Sequence, residues 1–229
     1  VPGLDMAGAS VSCEEAGGDS FDVIAGARGE AGRVAALVGD VSGHGLQAAL
    51  LMATARAFLR VSALGPGTPA QAVTEANRFL AMDTVGSGRF MTLFYLEFDH
   101  ASRTLAYVRA GHDPAILYRA GEGRFEEYTG PGIPLGVLED KRFEETRASW
   151  PSPGDVLLIG SDGIWEARRP DGGMFGKARM REAVRRNAGL SAQGILDALF
   201  ADLEAFRDGL PAEDDVTLLV VKFTAMENA

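Results

Sequence analysis

The order of short apolar runs in this chain constrains its fold more than any other feature. β-like runs fall at Asp22–Ala27, Val34–Val41, Met91–Phe98, Leu105–Arg109, Ala115–Arg119, Val156–Gly160 and Val216–Phe223. Parts of three of them (Val34–Val38, Leu157–Ile159 and Leu218–Val221) are apolar on both faces, the pattern of strands covered on each side. Helical stretches come in two pairs. One pair is Gly45 to about Ser62 followed by a helix opening at Thr68, where Pro69 takes the first turn and Gln71 completes a capping signal. The other is Lys177–Asn187 and Ser191–Arg207, with Ser191 as cap. Strands, a helix pair, many strands, a helix pair and a strand do not make a doubly wound parallel sheet. The order predicts an α+β fold of antiparallel sheets packed together and flanked by helix pairs, as a single domain over residues 1–229.

Composition narrows the function classes. The chain has 22 Lys and Arg against 32 Asp and Glu, a net charge of −10, which would repel a phosphate backbone and excludes nucleic acid as the expected partner. The cluster Lys177, Arg179, Arg181, Arg185 and Arg186 reads first as a solvated helix face and second as a docking patch. No apolar run is long enough to span a membrane. One cysteine, Cys13, excludes an intrachain disulfide or a zinc–cysteine cluster and suits the cytoplasm. The opening residues VPGLDMAGAS lack the pattern of a signal peptide and lead almost at once into strand, as in a catalytic part of a larger protein.

The chemistry lies in aspartates at strand ends. Asp19 sits in GGDSFD before a strand, Asp40 ends VAALVGD, Asp162 ends LLIGSD, and Asp214 and Asp215 precede VTLLVV. Any one of them alone would read as a turn residue. Four such placements beside buried strands imply convergence, and converging carboxylates need a counter-charge. The motifs contain no lysine or arginine, so the neutraliser is expected to be a cation. Oxygen ligands suit magnesium, manganese or calcium. Hard cations on carboxylates point to phosphate chemistry with water as nucleophile. Cys13 has no activating neighbour, and no serine elbow is present. A rival motif, Gly43-x-Gly45-x-x-Ala48, matches a dinucleotide-binding turn, but Asp40 precedes it and a second helix follows it.

Taken together, the segments GGDSFD, GDVSGHGLQAALLM, RFMTLFYLEFD, AGHDPAILYR, GIPLGV, PGDVLLIGSDGIWEARRPDGGMFG and DDVTLLVVKF resemble the bacterial SpoIIE/RsbU-type phosphatases of the metal-dependent type 2C (PPM) superfamily. The resemblance implies a β-sandwich of two antiparallel sheets with a site for two divalent cations, Mn2+ or Mg2+, at one end. Asp19 and Asp40 would bridge or flank both ions, the Val41 carbonyl would join them, and Asp162 and Asp214 would complete the shell of the second ion, with Asp215 beside them as the alternative ligand of the adjacent pair. Asp22 is the alternative to Asp19, on the opposite strand face. His44 is either the general acid for the leaving oxygen or a helix-start residue; His112 reads as structural. The arginine that grips phosphate in eukaryotic relatives is missing from CEEAGGD. The implied substrate is a phosphorylated STAS-domain anti-anti-sigma factor, with a homodimer as the working form. The competing readings are a catalytically inactive scaffold and an enzyme for small phosphates.

Overall fold

The computed structural model describes residues 2–225. Among these residues ten strands form two five-stranded sheets, and the strands pair antiparallel throughout. One sheet runs in the order β1 (Leu4–Val11), β10 (Val216–Phe223), β9 (Val156–Gly160), β6 (Ala115–Arg119), β7 (Arg124–Tyr128). The other runs β2 (Asp19–Ala25), β3 (Arg33–Val41), β4 (Met91–Asp99), β5 (Thr104–Ala110), β8 (Thr146–Ser149). The helices are α1 (Gly45–Leu64), α2 (Pro69–Thr84), α3 (Gly176–Asn187) and α4 (Ala192–Arg207).

Period-two alternation sorts the strand residues into three apolar layers. Val34, Ala36 and Val38 of β3 meet Leu157, Ile159, Leu219 and Val221 of the other sheet, forming the layer between the sheets. Ala35 and Leu37, on the opposite face of β3, pack under α1 and α2. Leu158, Leu218 and Val220 pack under α3 and α4. Central strands are thus apolar on both faces because each sheet is covered twice. The result is the α+β sandwich expected from the element order. Helix α2 follows α1 directly, and among the described residues no parallel strand of a sheet comes after it, so the Gly43–Ala48 segment is not part of a dinucleotide-binding unit.

The helix signals also hold. Thr68 and Gln71 form a reciprocal capping box, and the Ser191 hydroxyl accepts from Gly194 N–H at 3.1 Å. Strand limits shift in places: β2 starts at Asp19 rather than Asp22 and ends at Ala25. Strands β7 and β8 lie at sheet edges and are short and charged, which hides them from hydrophobic periodicity. Among the described residues no helix is long and apolar enough to cross a membrane.

A buried ion pair ties α1 to its sheet. Arg28 has a left-handed backbone, and its guanidinium meets the Glu97 carboxylate on β4, which also accepts from the Tyr95 hydroxyl at 2.6 Å. The same guanidinium donates to the Ser62 carbonyl at 2.9 Å, near the end of α1. Removing Glu97 would leave Arg28 buried without its carboxylate. Glu97→Ala should therefore lose roughly 3–5 kcal/mol of unfolding free energy, and Thr68→Ala about 1 kcal/mol. Urea denaturation of both variants checks the ranking; equal losses would refute it.

Candidate metal centre

The site forms where the layer between the sheets runs out of apolar residues. Asp40 follows Val38 on the inner face of β3, and Asp19 is its cross-strand partner on β2. The two carboxylates therefore stand side by side on one face. Asp162 follows β9, and Asp214 and Asp215 precede β10. The Ser161 N–H donates to the Thr217 carbonyl at 2.9 Å, and the Ser161 hydroxyl accepts from Thr217 N–H at 2.9 Å, which keeps these two strand ends paired. A cleft of about 260 Å³ opens there, lined by Asp40, Thr92, Gly111, His112, Asp113, Asp162 and Glu166.

The electrostatics are those of carboxylates crowded together, the leading charges on Asp19, Asp40 and Asp162 being those of other acids. Burial, then the charge of Asp40, pushes the Asp19 carboxyl up to about 8, while the Ser161 and Thr217 hydroxyls pull the other way. Burial, then Asp162, Asp214 and Asp215, pushes Asp40 up to about 7. Asp162 is raised by burial and then by Asp214. Asp19 Oδ2 is buried and has no hydrogen-bond partner. Burial also drives the Cys13 thiol up to about 11, aided by Asp215, which leaves it inert as a nucleophile.

The adjacent pair at the start of β10 divides its work. Asp215, 4% exposed, accepts from the Cys13 N–H at 2.9 Å and from the Asp19 N–H at 3.2 Å. Its carboxylate is a splint that holds the glycine-rich loop and Asp19 in place. Asp214 stays exposed, with Oδ1 accepting from the Asp215 N–H at 2.8 Å. Asp22 points the other way, as the strand period requires. It is 4% exposed under α1, bound by Arg60 and by Arg56 at 3.1 Å. Burial alone would raise its pKa, but the two guanidinium groups hold it below the usual carboxylate range.

These residues fit a hard divalent cation. The donor set is oxygen only, and the orphaned Asp19 oxygen lacks a partner that a cation would supply. The Val41 carbonyl faces Gly18, where an added Cβ would lie 2.8 Å from the oxygen, so glycine leaves that carbonyl open. Among the described residues, no three His, Cys, Asp or Glu side chains already converge as a complete ligand set.

Other sequence-named residues lie outside the cleft lining. His44 is the N-cap of α1, its side chain 70% exposed and its Nδ1 2.7 Å from Glu14 Oε1. The basic cluster on α3 is largely engaged within the chain: Arg181 pairs with Glu127, Arg185 with Glu182 and Arg186 with Asp202, and Arg179 donates to the Met174 and Phe175 carbonyls. Lys177 reaches Asp113 at 3.3 Å and lies 4.5 Å from the Trp165 ring centroid, bringing a cation to the rim that the motifs themselves lack. Three cleft residues escaped sequence reasoning. Glu166 is brought back to the cleft by a turn in which its N–H donates to the Asp162 carbonyl at 2.9 Å. Asp113 sits inside AGHDP. Thr92 carries no signal until the β3–β4 register places it opposite Asp40.

The family model of stage II sporulation protein E (SpoIIE) matches residues 30–224. The chain belongs to the SpoIIE family. It is 24% identical over 222 residues to phosphoserine phosphatase RsbU of Bacillus subtilis, covering 96% of this chain and 63% of RsbU. The crystal structure of the RsbU and RsbW domains of a Mycobacterium tuberculosis protein aligns with a TM-score of 0.79 at 30% identity, over 100% of this chain and 62% of that one. RsbX in complex with magnesium aligns at a TM-score of 0.68 and 17% identity, over 96% of each chain. The SpoIIE-family chain described here therefore spans less than two thirds of RsbU and of the mycobacterial protein, and its fold is that of PP2C phosphatase domains.

The acid pair has a measurable consequence when divalent cations are chelated. Folded Asp19 and Asp40 titrate at about 8 and about 7, against 3.8 for the ordinary carboxyl. The folded state then binds protons that the unfolded state has released. The pair's stabilising contribution is full below 3.8 and is lost as pH rises through about 7 and 8. Calorimetric melting of the chelated protein should show a midpoint that falls over that window. Asp40→Asn should melt higher than the parent at its alkaline end. A midpoint that rises with pH there would contradict the assignment.

Proposed function

We propose that this chain hydrolyses phosphoserine or phosphothreonine on a protein, with two divalent cations held by its strand-end carboxylates. The observation that carries the reading is the pair Asp19 and Asp40, half-buried side by side and, among the described residues, in no ion pair with a basic side chain, beside Asp162 and Asp214. Asp19, Asp40 and the Val41 carbonyl would hold one side of the centre, and Asp162 and Asp214 the other. Bound manganese or magnesium supplies charge neutralisation for phosphoryl oxygens and eases attack by water. The chain itself contributes orientation. The β2–β3 register fixes Asp19 against Asp40, Asp215 anchors the loop that carries Asp19, and the pairing of Ser161 with Thr217 sets Asp162 near Asp214.

The substrate in this reading is a phosphorylated STAS-domain protein of a partner-switching pathway, consistent with the RsbU relative. His44, exposed at the start of α1, is the residue proposed to protonate the leaving serine oxygen.

Turnover of para-nitrophenyl phosphate with and without manganese tests activity. A phosphorylated STAS protein compared with nucleotides tests the substrate class. Asp40→Asn and Asp162→Asn should each fold and lose at least about 10²-fold in kcat at saturating manganese, the scale of removing one preorganised electrostatic group. Retained turnover in either variant would overturn the site. His44→Asn should leave para-nitrophenyl phosphate turnover intact, because that leaving group needs no proton, and should slow a phosphoserine protein by about 10²-fold. A phosphoserine-protein rate unchanged from the parent would leave His44 as a helix-start residue only.

A further inference from the structure

His112 lines the same cleft as Asp40 and Asp162, yet it is only 3% exposed, and its ring is fully engaged. Nδ1 lies 2.8 Å from the Thr92 hydroxyl on β4, and Nε2 lies 3.1 Å from the Gly160 carbonyl at the end of β9. A carbonyl can only accept, so Nε2 carries the proton and Nδ1 accepts from Thr92. The ring therefore joins the two sheets. Its partners are the neighbours of the carboxylates: Thr92 is the cross-strand partner of Asp40, and Gly160 stands two residues before Asp162.

The turn that carries the ring is itself fixed. The Arg109 guanidinium donates to the His112 carbonyl, and Gly111 bridges Leu93 on β4. Gly111 has φ of 73°, and an added Cβ would lie 2.7 Å from Pro134. A ring that merely filled space would need neither hydrogen bond nor so constrained an approach.

We propose that His112 is a positioning residue: its imidazole sets the separation between the Asp19/Asp40 edge of one sheet and the Asp162 edge of the other. The inference rests on the phosphatase reading and deepens it. Ligand spacing belongs to the protein before any cation arrives, so the effect must appear in metal binding as well as in turnover. Outer residues that orient ligands are typically worth 10–100-fold in metal affinity.

The test uses the full chain with four substitutions: His112→Leu, His112→Gln, His112→Asn and Thr92→Val. Glutamine can keep the donor to Gly160, and asparagine can keep the partner of Thr92. Circular dichroism and melting establish folding, and calorimetric titration of manganese alone into chelator-treated protein reads affinity. Kinetics with para-nitrophenyl phosphate separate kcat from KM. Nitrogen-15 spectra of the metal-free parent should show a neutral imidazole protonated at Nε2. His112→Leu should bind manganese at least about tenfold more weakly, with kcat falling more than KM changes. Glutamine and asparagine should each recover part of the loss, and Thr92→Val should reproduce part of it. Should His112→Leu fail to fold, the other three variants decide. Folded variants that bind manganese and turn over like the parent would overturn the inference alone. A parent protein that binds no manganese would overturn the phosphatase reading and this inference with it.

Discussion

Carboxylates brought together with too few positive charges are the constraint around which this end of the molecule is arranged. The central strands β3, β9 and β10 are buried for most of their length, and each strand that reaches the site has an acid at or next to its end there. Asp19 and Asp40 face each other in a fixed register, and their charges meet those of Asp162 and Asp214 across the gap between the sheets. Such an arrangement persists only if the backbone is held against repulsion. Asp215 holds the Asp19 loop through two amides, the Ser161–Thr217 bonds keep β9 and β10 joined to their ends, and His112 closes the distance between sheets. The cost of crowding is thus met by hydrogen bonds to neutral groups, which leaves the carboxylate charges for something else to neutralise.

How much of this was legible depended on whether a signal was local. The helix pairs, the central strands and the α+β layering could be read because caps and two-faced apolar runs are short-range features. Asp19, Asp40, Asp162 and Asp214 could be named because each sits at a strand end, and the period of two separated Asp19 from Asp22. Edge strands β7 and β8 were not legible, since Arg124–Tyr128 and Thr146–Ser149 bury little and carry charge. The pairing of Arg28 with Glu97, 69 residues apart, left no trace in either segment. Neither did the placing of Lys177 beside Asp113 or of Thr92 beside His112. These contacts depend on register and on how the sheets stack, which no window of neighbouring residues encodes. The division of labour between Asp214 and Asp215 likewise needed the backbone: two adjacent acids look alike until one is seen to accept two amide protons.

Asp19 and Asp22 show why the site's acids differ from ordinary buried ones. They are the same residue type on the same strand, three positions apart, Asp22 buried and Asp19 half-buried. Asp22 meets Arg56 and Arg60 from α1 and is held below the usual carboxylate range. Asp19 meets another aspartate and is pushed up to about 8. The chain has 22 basic residues and spends two of them on Asp22, so the lack of one at Asp19 is not a shortage of cations. An arginine at Asp19 would relieve the repulsion at the cost of filling the cleft and fixing the charge permanently. Leaving the acid unpaired keeps an oxygen free on the inner face of β2, next to an open Val41 carbonyl, where an exchangeable cation can do what a side chain would do irreversibly.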